Sequence, residues 1–346
     1  MGGSAGSALR VLLPLLLCCP AAAKGGALTV LGGAIESAAA VDTPRGWRQL
    51  EGGSWLRTPR SAFPWGAVHF IGGAALGAAP QLVYDRLLTE IAERAQVAVI
   101  ATPYTPEQDH NRLAQQVKRS FEDACAACEA EGLGPWPVER VVRLGHSLGG
   151  KLCAILSCEG GGERVGTLAF NNFGVEDSIA IATDILQRLG GAGSRDKEVA
   201  DAIRTAFSFA QAFGRAQGVS VDFVPSPDEL NLRIAESYSA AETAVWNFEE
   251  DTLDSSPQFL AALPTSALRT AATLPGPHTA PVLLQLSGAD LGAPLGAIFG
   301  DRTLSLGDEE LVEQIAEEVA AWVWPSGVRR AKMPVLPPSE QTSAAP

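Results

Sequence analysis

Val138-Glu-Arg-Val-Val-Arg-Leu-Gly-His-Ser-Leu-Gly-Gly-Lys-Leu-Cys-Ala-Ile-Leu-Ser157 decides how the rest of the chain is read. Its β-branched, apolar run Val141 to Leu144 suits a buried strand. Gly145-His146-Ser147-Leu148-Gly149 follows, and then a helical pattern of small and apolar residues. Strand, Gly-x-Ser-x-Gly and helix together predict a nucleophile elbow, in which a serine sits on a sharp, strained turn. The demand is steric: side chains two positions either side of the serine would strike the strand or the helix, so glycine stands at 145 and 149. The turn lifts the Ser147 hydroxyl to a helix N-terminus. There the Leu148 N–H and the helix dipole can stabilise a developing oxyanion. The competing reading is an ordinary glycine turn carrying a solvated serine.

Outward from this stretch, apolar runs alternate with helical spacing. Trp47 to Leu50 and Ser54 to Arg57 flank Gly52-Gly53 and read as a short hairpin. Ala67-Val-His-Phe-Ile71 reads as a buried strand, Pro80 to Arg94 as a helix, and Val97 to Ala101 as the next strand. Glu107 to Glu131 is a long amphipathic helix, and Val165 to Phe170, Glu242 to Phe248 and Leu268 to Leu274 are further strands. Asp308 to Trp324 closes the pattern as an amphipathic helix. Strands alternating with helices predict a mostly parallel, doubly wound α/β sheet, with its site at the carboxyl ends of the strands. The loop after Ile71, Gly72-Gly73-Ala74, is then the place for a second oxyanion donor, assigned to the Gly73 N–H. Gly72 and Ala74 are expected to line the site with it.

The boundaries follow from composition. Residues 1–23 read as a signal peptide, with one early positive charge, the short apolar core Val11 to Cys19 and small residues after Pro20. Residues 24–46 are Ala- and Gly-rich and read as a linker or second targeting segment. Residues 47–324 form the catalytic-type domain, with a helical cap inserted over 175–240, and residues 325–346 form a Pro- and Ser-rich disordered tail. A net charge of −13 with no Lys/Arg cluster argues against a nucleic acid partner. No long apolar run predicts a stable membrane span in the mature protein. Of six cysteines, Cys125, Cys128, Cys153 and Cys158 fall in helical patterns, and core packing is preferred for them over metal or disulfide. No metal and no cofactor is called for, and oligomeric state is not legible.

Hydrolases of this architecture place their triad in the order serine, acid, histidine. Of the four histidines, His69 and His110 precede Ser147, and His146 adjoins it, with its side chain expected to point away. His278 alone follows in order, in the loop Pro275-Gly-Pro-His278 after a strand. For the acid, the loop Glu249-Glu-Asp-Thr-Leu-Asp254 supplies Asp251, with Asp254 as its local alternative. Asp290, after Pro281 to Ser287, ranks third because no histidine follows it.

Several motifs together resemble one family. They are His69-Phe-Ile-Gly-Gly-Ala74, Gly77-Ala-Ala-Pro80, Tyr84, Ala101-Thr-Pro103, Asp109-His110 and Gly145-His-Ser-Leu-Gly149. Phe170-Asn-Asn-Phe173, Phe223-Val-Pro-Ser-Pro227, Asp251-Thr-Leu-Asp254 and Leu274-Pro-Gly-Pro-His278 complete the set. The sequence resembles the α/β-hydrolase-like family called domain of unknown function 1350, found in cyanobacteria and plastid-bearing organisms. The resemblance supports Ser147, Asp251 and His278 by position and implies that Asn171 and Asn172 approach the site. It also implies a plastid (chloroplast) address, which the N-terminus would reach through a signal peptide; plain secretion is the alternative. The expected function is that of a serine hydrolase on a small acyl ester, thioester or lipid-like substrate. A catalytically silent binding or assembly protein and an acyltransferase are the alternatives.

Overall fold

A computed structural model of the chain describes residues 20–60, 63–174, 181, 185, 188, 222–292 and 295–324. The expected signal peptide up to residue 19, most of the expected cap and the C-terminal tail lie outside the described residues.

The strands are β1 Arg48–Gln49, β2 Trp55–Arg57, β3 Ala67–Ile71, β4 Ala98–Ala101, β5 Val141–His146, β6 Arg164–Leu168, β7 Glu242–Phe248 and β8 Leu268–Leu274. They form one sheet in the order β1-β2-β4-β3-β5-β6-β7-β8. The first two pairings are antiparallel and every pairing from β4 to β8 is parallel. β9 Leu284–Ser287 and β10 Thr303–Leu306 make a separate antiparallel pair.

The longer helices among the described residues are α1 Pro20–Val41, α2 Asp85–Ala95, α3 His110–Ala130, α4 Leu148–Ser157, α5 Pro227–Ser237, α6 Ser256–Ala262 and α7 Glu309–Val323. They cover both faces of the sheet, which is why every residue of β3 and β4 is buried and neither strand alternates apolar with polar. β3 shows the two layers. Its Phe70 meets Tyr84 beside α2, while the adjacent His69 stacks on Phe121 of α3 with ring centroids 4.2 Å apart. α2 and α7 pack together on the first face, and α3 and α4 pack together on the other. From β3 the chain goes to β4 on one side, then crosses to β5 on the other, so the strand order reverses between β3 and β5. Loops from neighbouring carboxyl ends diverge there and leave a crevice. This is the layout of the α/β-hydrolase fold.

The structure departs from the sequence reading in two places. The segment read as a linker or second targeting segment is helical as α1, and Leu28, Leu31 and Ile35 on it are buried. These residues sit at helical spacing, and α1 packs on the turn Ala75–Ala78 and on the turn Gly288–Leu291. The helix expected over 80–94 breaks at Tyr84, between a single turn at Pro80–Val83 and α2. The described helix of the range 175–240, α5, packs on α4 and α6.

Cys125, Cys128, Cys153 and Cys158 are free thiols, and burial pushes Cys153 up to about 12. Among the described residues no helix is long and apolar enough to cross a membrane.

Candidate active site

β5 ends directly in the turn that carries Ser147. The serine adopts φ 53° and ψ −119°, a conformation L residues rarely accept outside overdetermined sites. Two close approaches hold it there. A Cβ at position 145 would strike the backbone of Gly149, and a Cβ at 149 would strike the Ile71 carbonyl oxygen at the end of β3. Glycine at both positions lets α4 begin against the end of β3. The Ser147 N–H donates to the Leu168 carbonyl at 2.9 Å, tying the turn to β6.

His278 lies beyond the end of β8, and Asp251 beyond the end of β7, its parallel neighbour. The His278 ring spans the gap between serine and acid: Nε2 is 2.9 Å from Ser147 Oγ, and Nδ1 is 2.8 Å from Asp251 Oδ2. The Asp251 side chain is fully buried. Burial alone would raise its pKa, but the hydrogen bond and charge of His278 and the Leu253 N–H, which donates to Oδ1 at 2.8 Å, hold it below the ordinary carboxylate value. Asp254 does not join this chain. Its Oδ1 accepts from the Ser256 N–H at 2.8 Å, at the start of α6. Asp290 lies in the turn after β9, outside the main sheet.

Asn171 and Asn172 hold the acid loop in place. Asn171 Nδ2 donates to the Leu253 carbonyl at 2.8 Å, and the Asn172 N–H donates to Ser255 Oγ at 3.1 Å. Both side-chain carbonyl oxygens are buried without a hydrogen-bond partner.

Around the oxyanion position the structure corrects the sequence reading. Leu148 opens α4, where a helix leaves its first N–H groups unpaired. The Gly73 N–H, expected as the second donor, instead donates to Tyr84 Oη at 2.9 Å. The cause is the break at Tyr84, which turns a phenol under the loop. Gly72 is also turned inward: its carbonyl accepts from Tyr104 Oη at 2.8 Å, and a Cβ on it would meet Gly77 and Tyr84. Ala74 is the next amide along the loop and is buried. His146, whose side chain is expected to point away from the serine, is buried and joins both flanking loops, with Nδ1 2.8 Å from Tyr84 Oη and Nε2 3.0 Å from the His278 carbonyl. Burial, with the nearby His278, lowers it to about 3.

Sequence reasoning missed Lys151, one helical turn past the serine. Its side chain is fully buried, and its Nζ donates to the Pro225 carbonyl at 3.1 Å. Burial lowers it to about 7. A lone lysine in an apolar helix was the available signal. Among the described residues no group of His, Cys, Asp or Glu is arranged to hold a metal ion.

The family model described as Protein of unknown function (DUF1350) matches residues 46–302. No curated protein matches the sequence. Among solved structures the chain is similar to an esterase from Rhizomucor miehei, at 13% identity and TM-score 0.45 over 84% of this chain and 87% of that one. It is similar to carboxyl esterase 2 of the mycorrhizal fungus Tuber melanosporum, at 17% identity and TM-score 0.43 over 78% and 81%. It is also similar to a fluorophosphonate-binding serine hydrolase F of Staphylococcus aureus, at 12% identity and TM-score 0.44 over 80% and 96%. At these identities and scores the likenesses carry no argument about chemistry.

Proposed function

The chain belongs to the family described as Protein of unknown function (DUF1350), and we propose that it is a serine hydrolase acting on an acyl ester, thioester or lipid-like substrate. The reading rests on one observation: the His278 ring bridges the Ser147 hydroxyl and the buried Asp251 carboxylate, one nitrogen to each. In the proposed reaction Ser147 Oγ attacks the acyl carbonyl while His278 Nε2 takes its proton. The carbonyl π electrons move onto oxygen. Leu148 N–H and Ala74 N–H, the loop amide left once Gly73 is committed, receive that oxyanion. Collapse expels the leaving alkoxide or thiolate, which takes the proton from His278. Water then repeats the sequence and releases the carboxylic acid. Asp251 holds Nδ1–H of the imidazole and offsets the charge it gains.

The burial of Ser147, 3% exposed, favours a second reading. A shielded serine fits a catalytically silent binding or assembly protein, or an acyltransferase that excludes water. Labelling with a fluorophosphonate probe decides between activated and silent serine. The folded wild type is expected to label, Ser147→Ala not at all, and His278→Ala at least about a thousandfold more slowly. A folded wild type that fails to label at any pH from about 6 to about 9 would overturn the hydrolase reading in favour of the silent protein.

We also propose a plastid address reached through a signal peptide, supported by the family resemblance and the Val11–Cys19 apolar run. A full-length fluorescent fusion found outside the plastid would refute it.

A further inference from the structure

Behind Ser147 a line of three hydrogen bonds joins the loop after β3 to the loop after β8. It runs from the Gly73 N–H to Tyr84 Oη at 2.9 Å, from Oη to His146 Nδ1 at 2.8 Å, and from His146 Nε2 to the His278 carbonyl at 3.0 Å. The two ends set every proton in it. A backbone N–H can only donate and a backbone carbonyl can only accept. His146 must therefore carry its proton on Nε2 and accept at Nδ1, and the Tyr84 hydroxyl must donate to Nδ1 while accepting from Gly73. Each member has its partners and none is left over. Burial keeps the imidazole neutral and the phenol protonated.

Packing leaves these side chains one arrangement. Tyr84 is fully buried, edge-on to Phe70 at 4.8 Å and to the His146 ring at 5.6 Å. The two ends of the line matter. A Cβ on Gly73 would lie 3.2 Å from Ser147 Cβ and 2.9 Å from His146 Nδ1, so this loop abuts the serine. At the other end stands the residue whose ring binds Ser147 Oγ.

We propose that Tyr84 and His146 are positioning residues, which hold the Gly72–Ala74 loop and the His278 loop at a fixed separation around Ser147. The proposal rests on the serine hydrolase reading. Neither side chain touches substrate; both act through backbone groups. Tyr84 sets the loop whose next amide, at Ala74, is the oxyanion donor of the proposed reaction, and His146 sets the reach of the base. Small displacements of reacting groups by a distant change cost rate rather than ground-state binding.

The test uses the full chain, with Tyr84→Phe, His146→Leu, His146→Gln and the double variant Tyr84→Phe/His146→Leu. Fluorophosphonate labelling rates, kcat and KM on a p-nitrophenyl ester, and thermal midpoints are measured together. Tyr84→Phe keeps the ring and removes only Oη. It is expected to lower kcat and labelling rate about 10- to 100-fold with KM within about twofold. The double variant is expected to lose no more than the worse single one, because the line is already broken. His146→Gln, whose amide can still donate towards the His278 carbonyl, should recover part of what His146→Leu loses. If the folded single variants react at the wild-type rate, if their losses track the loss of folded protein, or if the two losses simply multiply, the positioning role is refuted. An unreactive folded wild type refutes the hydrolase reading, and this proposal with it. A reactive wild type with unaffected variants refutes this proposal alone.

Discussion

The loop after β7 and the turn after β9 look alike in sequence: each extended run is followed three residues later by an aspartate. The fold treats them differently. β7 is an interior strand of the parallel sheet, so its carboxyl end opens on the same edge as β5 and β8. Asp251 is thereby delivered under His278 and buried against it. Among the described residues β9 pairs only with β10, and the turn that carries Asp290 packs on α1. An aspartate becomes part of a buried chain when its strand shares an edge with its partners' strands; the local motif does not decide it. Lys151 extends the contrast. It is as buried as the Asp251 side chain, yet it donates to a neutral carbonyl.

Exchanging Asp251 for Asn is the strongest way to break the comparison. The amide cannot hold the Nδ1–H tautomer or offset the imidazolium charge, so kcat on an ester should fall by about 10⁴ with the fold intact by circular dichroism. Equal activity in Asp251→Asn would place the acid elsewhere.

Next comes Lys151→Met, which removes a buried amine that has no acidic partner among the described residues. An unfolded lysine titrates near ~10.4, and burial lowers Lys151 to about 7 in the folded chain. Between these values the unfolded chain binds the proton and the folded chain does not, so stability rises with pH across that window. In urea unfolding, the wild type should gain about 2 kcal/mol more than Lys151→Met between about pH 6.5 and about pH 9. Parallel pH curves would show that Lys151 stays charged in the fold.

The smallest effects sharpen the contrast among the acids. Asp254→Ala should cost about 1 kcal/mol of stability, through the lost acceptor at the start of α6, with kcat within about twofold. Asp290→Asn should change neither stability nor kcat measurably. A large activity loss at either position would overturn the assignment of Asp251.

Ser147 was legible because a nucleophile elbow is local. Its strain, its glycines and its flanking strand and helix lie within one short stretch, and the sterics that require them act between near neighbours. His278 could be reached by chain order, and the strand pattern by hydropathy, since burial on both faces imprints continuous apolar runs. Other features were not legible. Gly73 reads as a free donor until the break at Tyr84 brings a hydroxyl to it from the start of α2. His146 reads as a bystander until β5 and the loop after β8 place it against the His278 carbonyl. The stretch from residue 24 reads as a linker because alanine and glycine carry little hydropathy contrast, yet Leu28, Leu31 and Ile35 bury against turns far along the chain. By itself the sequence determined the sheet and the strained turn at Ser147, because those follow from local sterics and from which residues leave water. Only the tertiary structure decided which polar atoms are already satisfied, because a hydrogen bond depends on ångström-scale distance between groups that the chain keeps tens of residues apart.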